Sequence, residues 1–536
     1  MGFQTSIRLL IHHLAGKAAA IQSFDNQRSL DLQVRLYVAP FIGRVLFVVV
    51  LLTSAAFLTG CGGSPKSTFS NPLVTTYAVN APAGSTAVVE FSRDTTYTLH
   101  TSSQAAPAGG GQLSFLVAGM QPSSTYHMRA RLTLANGTEQ VESDRTFTTG
   151  AIPSGLVPSF SAQGDTSGGR GIQMINLTYP NGQNTDDKAE AVATDLSGNV
   201  IWYYQHDASE GTLFPVKLLA NGHLLVGISD LSSKSVMREV DLAGNTIKEL
   251  TVQDLNAALK ASGFNHTLQY FHHDLQRLSN GHTLIMFAES RQISNLIGLP
   301  GATQVIGDGV VDVDANYKPV WLWSSFDHLD VNRHPLSPPP DWTHANAVSL
   351  TRDGDLLFSM RNQHWVIKIN YQHGTGNGDV IWTLGAGGDF TINTGNAADW
   401  FYGQHYPNII STTGSVTRMA IFDDGNDRPL DDGSKCNAKT TCYSRAVIYD
   451  VDEAAKTATI VWQDLPNLYT FWGGSINTPP DGNIVYDLPA PSALPGSRVL
   501  EVDQTTDPQV LWQMDVSVPY AYRAVRLRSL YPGVQW

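Results

Sequence analysis

Five short segments of this chain end an apolar, strand-like run on tryptophan: Asn199-Val-Ile-Trp202, Lys318-Pro-Val-Trp321, Asp379-Val-Ile-Trp382, Thr459-Ile-Val-Trp462 and Gln509-Val-Leu-Trp512. A sixth, Asn245-Thr-Ile-Lys248, has the same shape with lysine in the last place. Self-similarity at this period marks stacked supersecondary units, each too small to bury its apolar face without a neighbour. Between these outer runs lie inner runs built around Asn221-Gly222, Asn280-Gly281, Asp353-Gly354, Thr413-Gly414 and Asp481-Gly482. Asn-Gly and Asp-Gly between apolar runs are hairpin signals, and read as two-residue turns they place both positions at positive φ. Helical periodicity is scarce, with Val252–Ser262 one of few candidates. Strand, turn and strand at this density predict an all-β chain whose units close radially as a β-propeller.

Six outer runs begin at residues 199, 245, 318, 379, 459 and 509. Five inner runs lie between them, near residues 213–226, 272–287, 344–360, 405–421 and 470–486, and a sixth, Tyr520–Leu530, follows the last. The first outer run lacks an inner partner before it and the last inner run lacks an outer partner after it. Joining the two predicts a six-bladed β-propeller over residues 151–536 in which both ends of the repeat share a blade.

Ahead of the repeat, residues 73–150 read as a small β-sandwich. Its predicted strands are Thr86–Phe91, Thr96–Thr101, Gln112–Val117, Tyr126–Leu134 and Arg145–Thr149. The segment Met120-Gln-Pro-Ser-Ser-Thr-Tyr126 resembles the tyrosine corner of fibronectin type III and immunoglobulin-like sandwiches. No titratable constellation falls in this module, which predicts a spacer or docking role.

Residues 62–72 are a polar linker of glycine, serine, proline and lysine. Before it, an uncharged run from Val45 to Gly60 follows Arg44 and ends Leu58-Thr-Gly-Cys61. That run is short for a membrane span and fits the core of a signal peptide. Its ending resembles a bacterial lipoprotein signal, so residues 1–61 are expected to be a signal segment with Cys61 as the lipidated residue. A short membrane anchor is the alternative, and either one exports the rest of the chain. Residues 1–33 resemble neither a signal nor a fold, and the true start is expected further down.

The chain has 536 residues, 42% hydrophobic and 15% charged, enough for a large core and more than one domain. A formal charge of −13 argues against nucleic acid as a partner. Cys436 and Cys442, the two cysteines besides Cys61, are expected to form a loop disulfide in an oxidising compartment. Without histidines in ligand spacing they do not predict a zinc site, and Asp423-Asp-Gly-Asn-Asp427 lacks the spacing of a calcium loop. No metal is expected at either place.

In a propeller the innermost strands begin around one mouth of the central channel. His273, His344 and His405 precede the turn glycines of their inner runs by 8, 10 and 9 residues, which places all three in one ring. His272 stands 9 from the same glycine as His273, so register leaves the two neighbours undecided. Arg361 ends the hairpin that His344 starts and should lie beside it. A guanidinium fork matches oxyanions, and a neutral imidazole is a competent nucleophile. Against this stands the plainer possibility that blade-start histidines only tie strands together.

Phe271-His-His-Asp274, Asp341-Trp-Thr-His344-Ala-Asn346, Met360-Arg361-Asn-Gln363, Tyr402-Gly-Gln-His405 and Ile421-Phe-Asp-Asp-Gly-Asn-Asp-Arg428 occur in that order. Over residues 170–530 they resemble the bacterial arylsulfotransferases that do not use the nucleotide sulfate donor. The resemblance implies a six-bladed propeller that moves a sulfuryl group from a phenolic sulfate ester to a phenol by a ping-pong route, with no cofactor. It implies His405 as the nucleophile that becomes sulfohistidine, and His344 and Arg361 as ligands of the sulfuryl oxygens. His273 or His272 would exchange the phenol proton, and Asn346 would be a second donor. Among the aromatics, Trp472 and Tyr402 are expected against the phenol ring. An extracytoplasmic, periplasmic location, lipid-anchored to a bacterial membrane through Cys61, agrees with the family, and a homodimer is left open. The competing functions are a non-catalytic binding propeller and a sulfate-ester hydrolase, because fold alone does not fix function.

Overall fold

The structure is a computed structural model and describes residues 71–179, 187–336, 339–437 and 442–536. The signal segment, Cys61 and nearly all of the linker lie outside the described residues. Among those described, the chain is mostly β, and no helix is long and apolar enough to cross a membrane.

Residues 75–148 form two antiparallel sheets. Thr75–Ala81 pairs with Gly111–Val117, and a larger sheet is built on Thr86–Ser92 and Thr125–Thr133. Their alternating inward residues, including Val89, Phe91, Phe115, Met128 and Ala130, share one core. The Tyr126 hydroxyl accepts from the Gln121 N–H at 3.0 Å and pins the chain that leads into its strand. The module is tied to the rest of the chain from the far terminus. The Tyr531 hydroxyl donates to the Leu116 carbonyl at 2.7 Å and accepts from the Ala118 N–H at 2.8 Å. Trp536 lays its ring edge-on against Phe91.

The repeat region contains six antiparallel sheets of four strands, two of them extended by one extra strand. The second, third and fourth run consecutively from Thr212–Leu218 to Thr246–Thr251, from Tyr270–Arg277 to Pro319–Ser324, and from Ala345–Leu350 to Val380–Gly385. The fifth runs from His405–Thr413 to Thr457–Asp464, and the sixth from Ile476–Asn477 to Val510–Val516. The first is composite: Ala521–Leu527, from the end of the chain, pairs with Ile172–Leu177, followed by Ala191–Thr194 and Val200–Tyr204. Sheets touch in succession, and the sixth meets the first where Ile484–Leu488 lies against Ala521–Leu527.

The repeated tryptophans explain the packing between sheets. Trp202, Trp321, Trp382, Trp462 and Trp512 sit on the fourth strand of their sheets, counted from the innermost, 8% exposed or less. At about 25 cal/mol per Å2, an indole burying ~200 Å2 contributes roughly 5 kcal/mol of transfer free energy before entropy is counted. Three also reach the next sheet: Trp202 donates to the Leu242 carbonyl, Trp321 to Gly376 and Trp512 to Leu196, at 2.8–2.9 Å. Trp382 and Trp462 bury their rings without a bonded N–H. Where the second sheet carries Lys248 instead, the helix Val252–Ala261 follows and buries Leu255 and Leu259 in its place.

The inner turns differ from the sequence expectation. Gly222, Gly281, Gly354 and Gly482 have φ of 84–88°, but Asn221, Asn280, Asp353 and Asp481 do not join them at positive φ. Leu219 N–H bonds to the His223 carbonyl and Gly222 N–H to the Leu219 carbonyl, so the loop is one residue longer than a two-residue turn. Only the glycine must be left-handed there. The sequence also gave no sign of the long hairpin Thr283–Leu296 and Leu299–Val313.

Candidate active site

Opposite the glycine turns, the innermost strands of five of the six sheets share one irregularity. Phe271 pairs with Phe287 and Leu275 with Ile285, so three residues, His272 to Asp274, oppose one. The same kind of register break falls at Phe214–Pro215, Asn346, Tyr406–Pro407 and Tyr522. His273, His344 and Tyr406 lie at φ of 54°, 45° and 49°. A left-handed conformation costs an ordinary residue about 1–3 kcal/mol, and bulges re-aim side chains beside active sites. The repeat thus spends strain at one mouth, where the histidines converge.

His405 is buried, and its Nδ1 lies 2.6 Å from Asp424 Oδ2. Its other ring nitrogen, Nε2, accepts from the Gly473 N–H at 3.3 Å. Nε2 therefore carries no proton, and Nδ1–H donates to the carboxyl group. Burial, helped by the Arg361, His344 and Arg523 charges, pushes the His405 pKa well below its ordinary 6.5. Burial also pushes Asp424 up, against the pull of Arg361. Both shifts favour an uncharged imidazole with a bare Nε2, the form that attacks an electrophile.

Arg361 stands at the end of the hairpin begun by His344, and its N–H donates to the His344 carbonyl at 3.1 Å. The guanidinium donates to Asn362 Oδ1 at 2.9 Å and to the Phe471 carbonyl at 2.8 Å, while its buried Nε has no partner. His344 Nδ1 is 2.6 Å from Asp341 Oδ2, and its ring is 5.1 Å from that of His273. His273 packs flat against Phe214 and edge-on to Tyr522. Its pKa also lies well below 6.5, through burial and then the neighbouring imidazoles and Arg523. Of the two adjacent histidines, His273 faces this cluster. His272 is turned away, with Nδ1 2.8 Å from His273 Nδ1 and Nε2 3.1 Å from Asp308 Oδ1.

Trp472 lies parallel to Tyr522 with ring centres 6.0 Å apart, and Tyr522 is edge-on to His405 at 6.0 Å. Trp472 therefore joins the cluster. Tyr402 does not: its ring packs against His364 within the core of the fifth sheet, and its hydroxyl donates to the Ala397 carbonyl at 2.9 Å. Asn346 is fully buried, donates to the Gln404 carbonyl just before His405, and keeps Oδ1 unpartnered. It holds two strands together beneath the histidines.

Sequence reasoning missed Arg523, Tyr522, Asp424, Asp341 and Asp308. Arg523 is buried, bonds Asp274 Oδ1 at 3.1 Å and the Asn346 carbonyl at 3.0 Å, and covers the Tyr406 ring. Lys217 lies 2.6 Å from the same Asp274 oxygen. Burial raises the Asp274 carboxyl, but Lys217 and Arg523 outweigh it and hold it below its ordinary value. A signal for Arg523 existed, because Ala521-Tyr-Arg523 opens the sixth inner run as the histidines open theirs. In the Asp423–Asp427 loop Asp424 meets His405, while Asp423 Oδ2 accepts from Arg428 and Arg445 at 2.6 and 2.8 Å. Arg428 is buried against Asp423 and Tyr443. Among the described residues no group of three ligating side chains is arranged for a metal ion. Cys436 and Cys442 are joined in a disulfide.

Residues 123–523 match the arylsulfotransferase (ASST) family. The chain belongs to that family. The match covers most of the repeat and bears out the resemblance carried by the histidine and arginine motifs. No curated protein matches this arylsulfotransferase-family chain. Among solved structures, a Lactobacillus plantarum protein is 14% identical over 67% of this chain and 99% of its own, at a TM-score of 0.35. A streptogramin B lyase is 11% identical over 67% and 98%, at 0.28. Virginiamycin B lyase from Staphylococcus aureus is 8% identical over 74% and 92%, at 0.30. Such TM-scores carry no argument about this chain. Family membership makes it a sulfotransferase in general terms.

Proposed function

We propose that this chain moves a sulfuryl group from a phenolic sulfate ester to a phenol, in two steps, through sulfohistidine at His405. The observation that supports this most is the bare, uncharged Nε2 of a buried imidazole, held by Asp424 beside Arg361. In the first step Nε2 attacks sulfur, the S–O bond to the donor breaks, and its phenolate departs. In the second the acceptor oxygen attacks sulfur, the N–S bond breaks, and the acceptor proton passes to His273. Arg361 and His344 stabilise charge on the sulfuryl oxygens, where positioning and fixed cations dominate as in phosphoryl transfer. Trp472 and Tyr522 offer stacking faces for the phenol ring.

In this reading the six sheets are the blades of one propeller, with the ends of the repeat sharing the first blade. Residues 73–150 are a fibronectin-III-like spacer. A lipid anchor at Cys61 holds the protein at a bacterial membrane, in the periplasm or elsewhere outside the cytoplasm. The deciding assay mixes the protein with a chromogenic phenyl sulfate, with and without a second phenol. Sustained release that requires the second phenol supports transfer. Sustained release without it makes the protein a hydrolase, and no release makes it a binding protein.

A further inference from the structure

We infer that Asp308 and His272 are positioning residues that fix the tautomer of His273 and make its Nε2 the proton acceptor for the incoming phenol. The inference rests on the sulfotransfer reading above. His272 and His273 approach through their Nδ1 atoms at 2.8 Å, and two imidazole nitrogens at that distance share one proton. Two arrangements satisfy the contact. If His272 Nδ1 carries the proton, the electron-rich Nε2 end of the ring lies only 3.1 Å from the charged Asp308 Oδ1, which is repulsive in a buried setting. If His273 Nδ1 carries it, His272 Nε2–H faces the carboxylate. The contact is off the N–H axis, so its contribution here is electrostatic rather than that of a linear hydrogen bond. Charge nevertheless selects the second arrangement.

Asp308 is oriented so that only one oxygen is left for this task. Its Oδ2 accepts from Thr343 Oγ1 and from the Ala345 N–H, both at 2.6 Å, and these residues flank His344. Oδ1 is left for His272. One buried carboxylate therefore sets the tautomer of His273 from one side and anchors the strand of His344 from the other. Following the protons outward, His272 Nε2 and His273 Nδ1 are both protonated, and His273 Nε2 is bare beside His344. In the second half-reaction the phenol O–H bond breaks, its proton goes to His273 Nε2, and its oxygen forms the new S–O bond. The imidazolium so formed is stabilised through His272 by Asp308. This arrangement parallels the way a carboxylate holds the tautomer of a general-base histidine in serine hydrolases.

Asp308→Asn makes a directional test. The amide oxygen must stay on Thr343 and Ala345, so the amide N–H2 turns to His272 Nε2 and favours the tautomer that has no proton there. His272 Nδ1–H then donates to His273, and the proton of His273 moves to the face that should accept. The burst of phenol release from a good donor without acceptor should stay within about threefold of wild type. Transfer to a phenol that is un-ionised at the assay pH should fall by about 10²- to 10⁴-fold, the range for loss of a general base. Transfer to a phenol already ionised at that pH should be restored to nearly the wild-type rate. His272→Asn serves as a second variant if the first does not fold, with the same pattern expected. Nitrogen NMR of the imidazoles should give His273 protonated at Nδ1 in wild type and at Nε2 in Asp308→Asn. Equal loss with both acceptor types, no loss with either, or an unchanged tautomer overturns the inference. A wild-type protein that releases no phenol at all overturns the sulfotransfer reading instead, and the NMR result then judges the relay alone.

Discussion

The outer and inner edges of the six sheets solve opposite problems with the same repeat. At the outer edge the chain reuses one side chain: five tryptophans fill equivalent places, and three tie their N–H to a carbonyl of the next sheet. At the inner edge it reuses a backbone device instead. Register breaks recur at the mouth, but the side chains there are Phe214, His273, Asn346, Tyr406 and Tyr522, no two neighbours alike in role. Buried donors and acceptors are left unpartnered at the inner edge, among them Arg361 Nε and Asn346 Oδ1. Uniformity at the rim stabilises the scaffold, and departure from uniformity at the mouth creates the chemistry.

The comparison breaks most sharply at His405. His405→Ala should lower phenol release by roughly 10⁴-fold or more, as expected when a nucleophile is removed. A melting curve should remain cooperative, because the imidazole is bonded to one side chain and one backbone amide. Arg361→Lys keeps the charge but loses the fork that now spans Asn362 and Phe471. Release should fall by about 10²- to 10³-fold, the range for removal of one preorganised donor. Steady-state rates should show the loss in kcat more than in KM.

At the rim the same kind of change should leave activity alone. Trp512→Phe removes the N–H that meets the Leu196 carbonyl and orphans that acceptor. The expected cost is about 1–3 kcal/mol in denaturant unfolding, with turnover at 25 °C unchanged. A tenfold loss of activity in that variant would erase the distinction between rim and mouth.

The last test is in pH, and it leaves turnover near neutrality untouched. His405 and His273 are held well below 6.5, and burial pushes His364 down to about 3. The unfolded chain binds protons on these groups below about pH 6.5 while the folded chain does not, so stability should decline as pH falls from 6.5 toward 3. Each such group adds at most about 1.4 kcal/mol per pH unit in that window. Urea titrations at a series of pH values measure it, and His364→Asn should flatten the slope. The nucleophile itself should lose no activity through protonation near pH 6.5.

How much of this was written in the sequence follows the same division. The tryptophan runs and turn glycines repeat, so sheet order and the composite first sheet could be read by counting. His273, His344 and His405 were legible because they keep nearly constant spacing to those glycines, and Arg361 because it ends the hairpin that His344 starts. Asp308 and Asp424 were not: Asp424 follows the strand that pairs with that of His405, Asp308 lies two strands from His272 in the same sheet, and no motif or spacing ties either to its histidine. Arg523 was missed although it opens the sixth inner run, because an arginine stands there in place of the histidine that opens three of the others. Tyr402 misled for the opposite reason: it stands three residues before His405, but the intervening Gly403, at φ 65°, redirects the chain so that the ring enters the core. The two-residue hairpin expectation failed because Asn-Gly also suits a longer loop in which glycine alone turns left-handed.

The account rests on a covalent bond between sulfur and the imidazole of residue 405, and mass spectrometry reads that bond directly. The protein is incubated with a phenyl sulfate in the absence of acceptor, quenched at alkaline pH and digested. The peptide carrying His405 should gain the mass of SO3, lose it when a phenol is added before the quench, and never gain it in His405→Ala. An adduct on any other residue, or sustained transfer with no adduct at all, would contradict the mechanism.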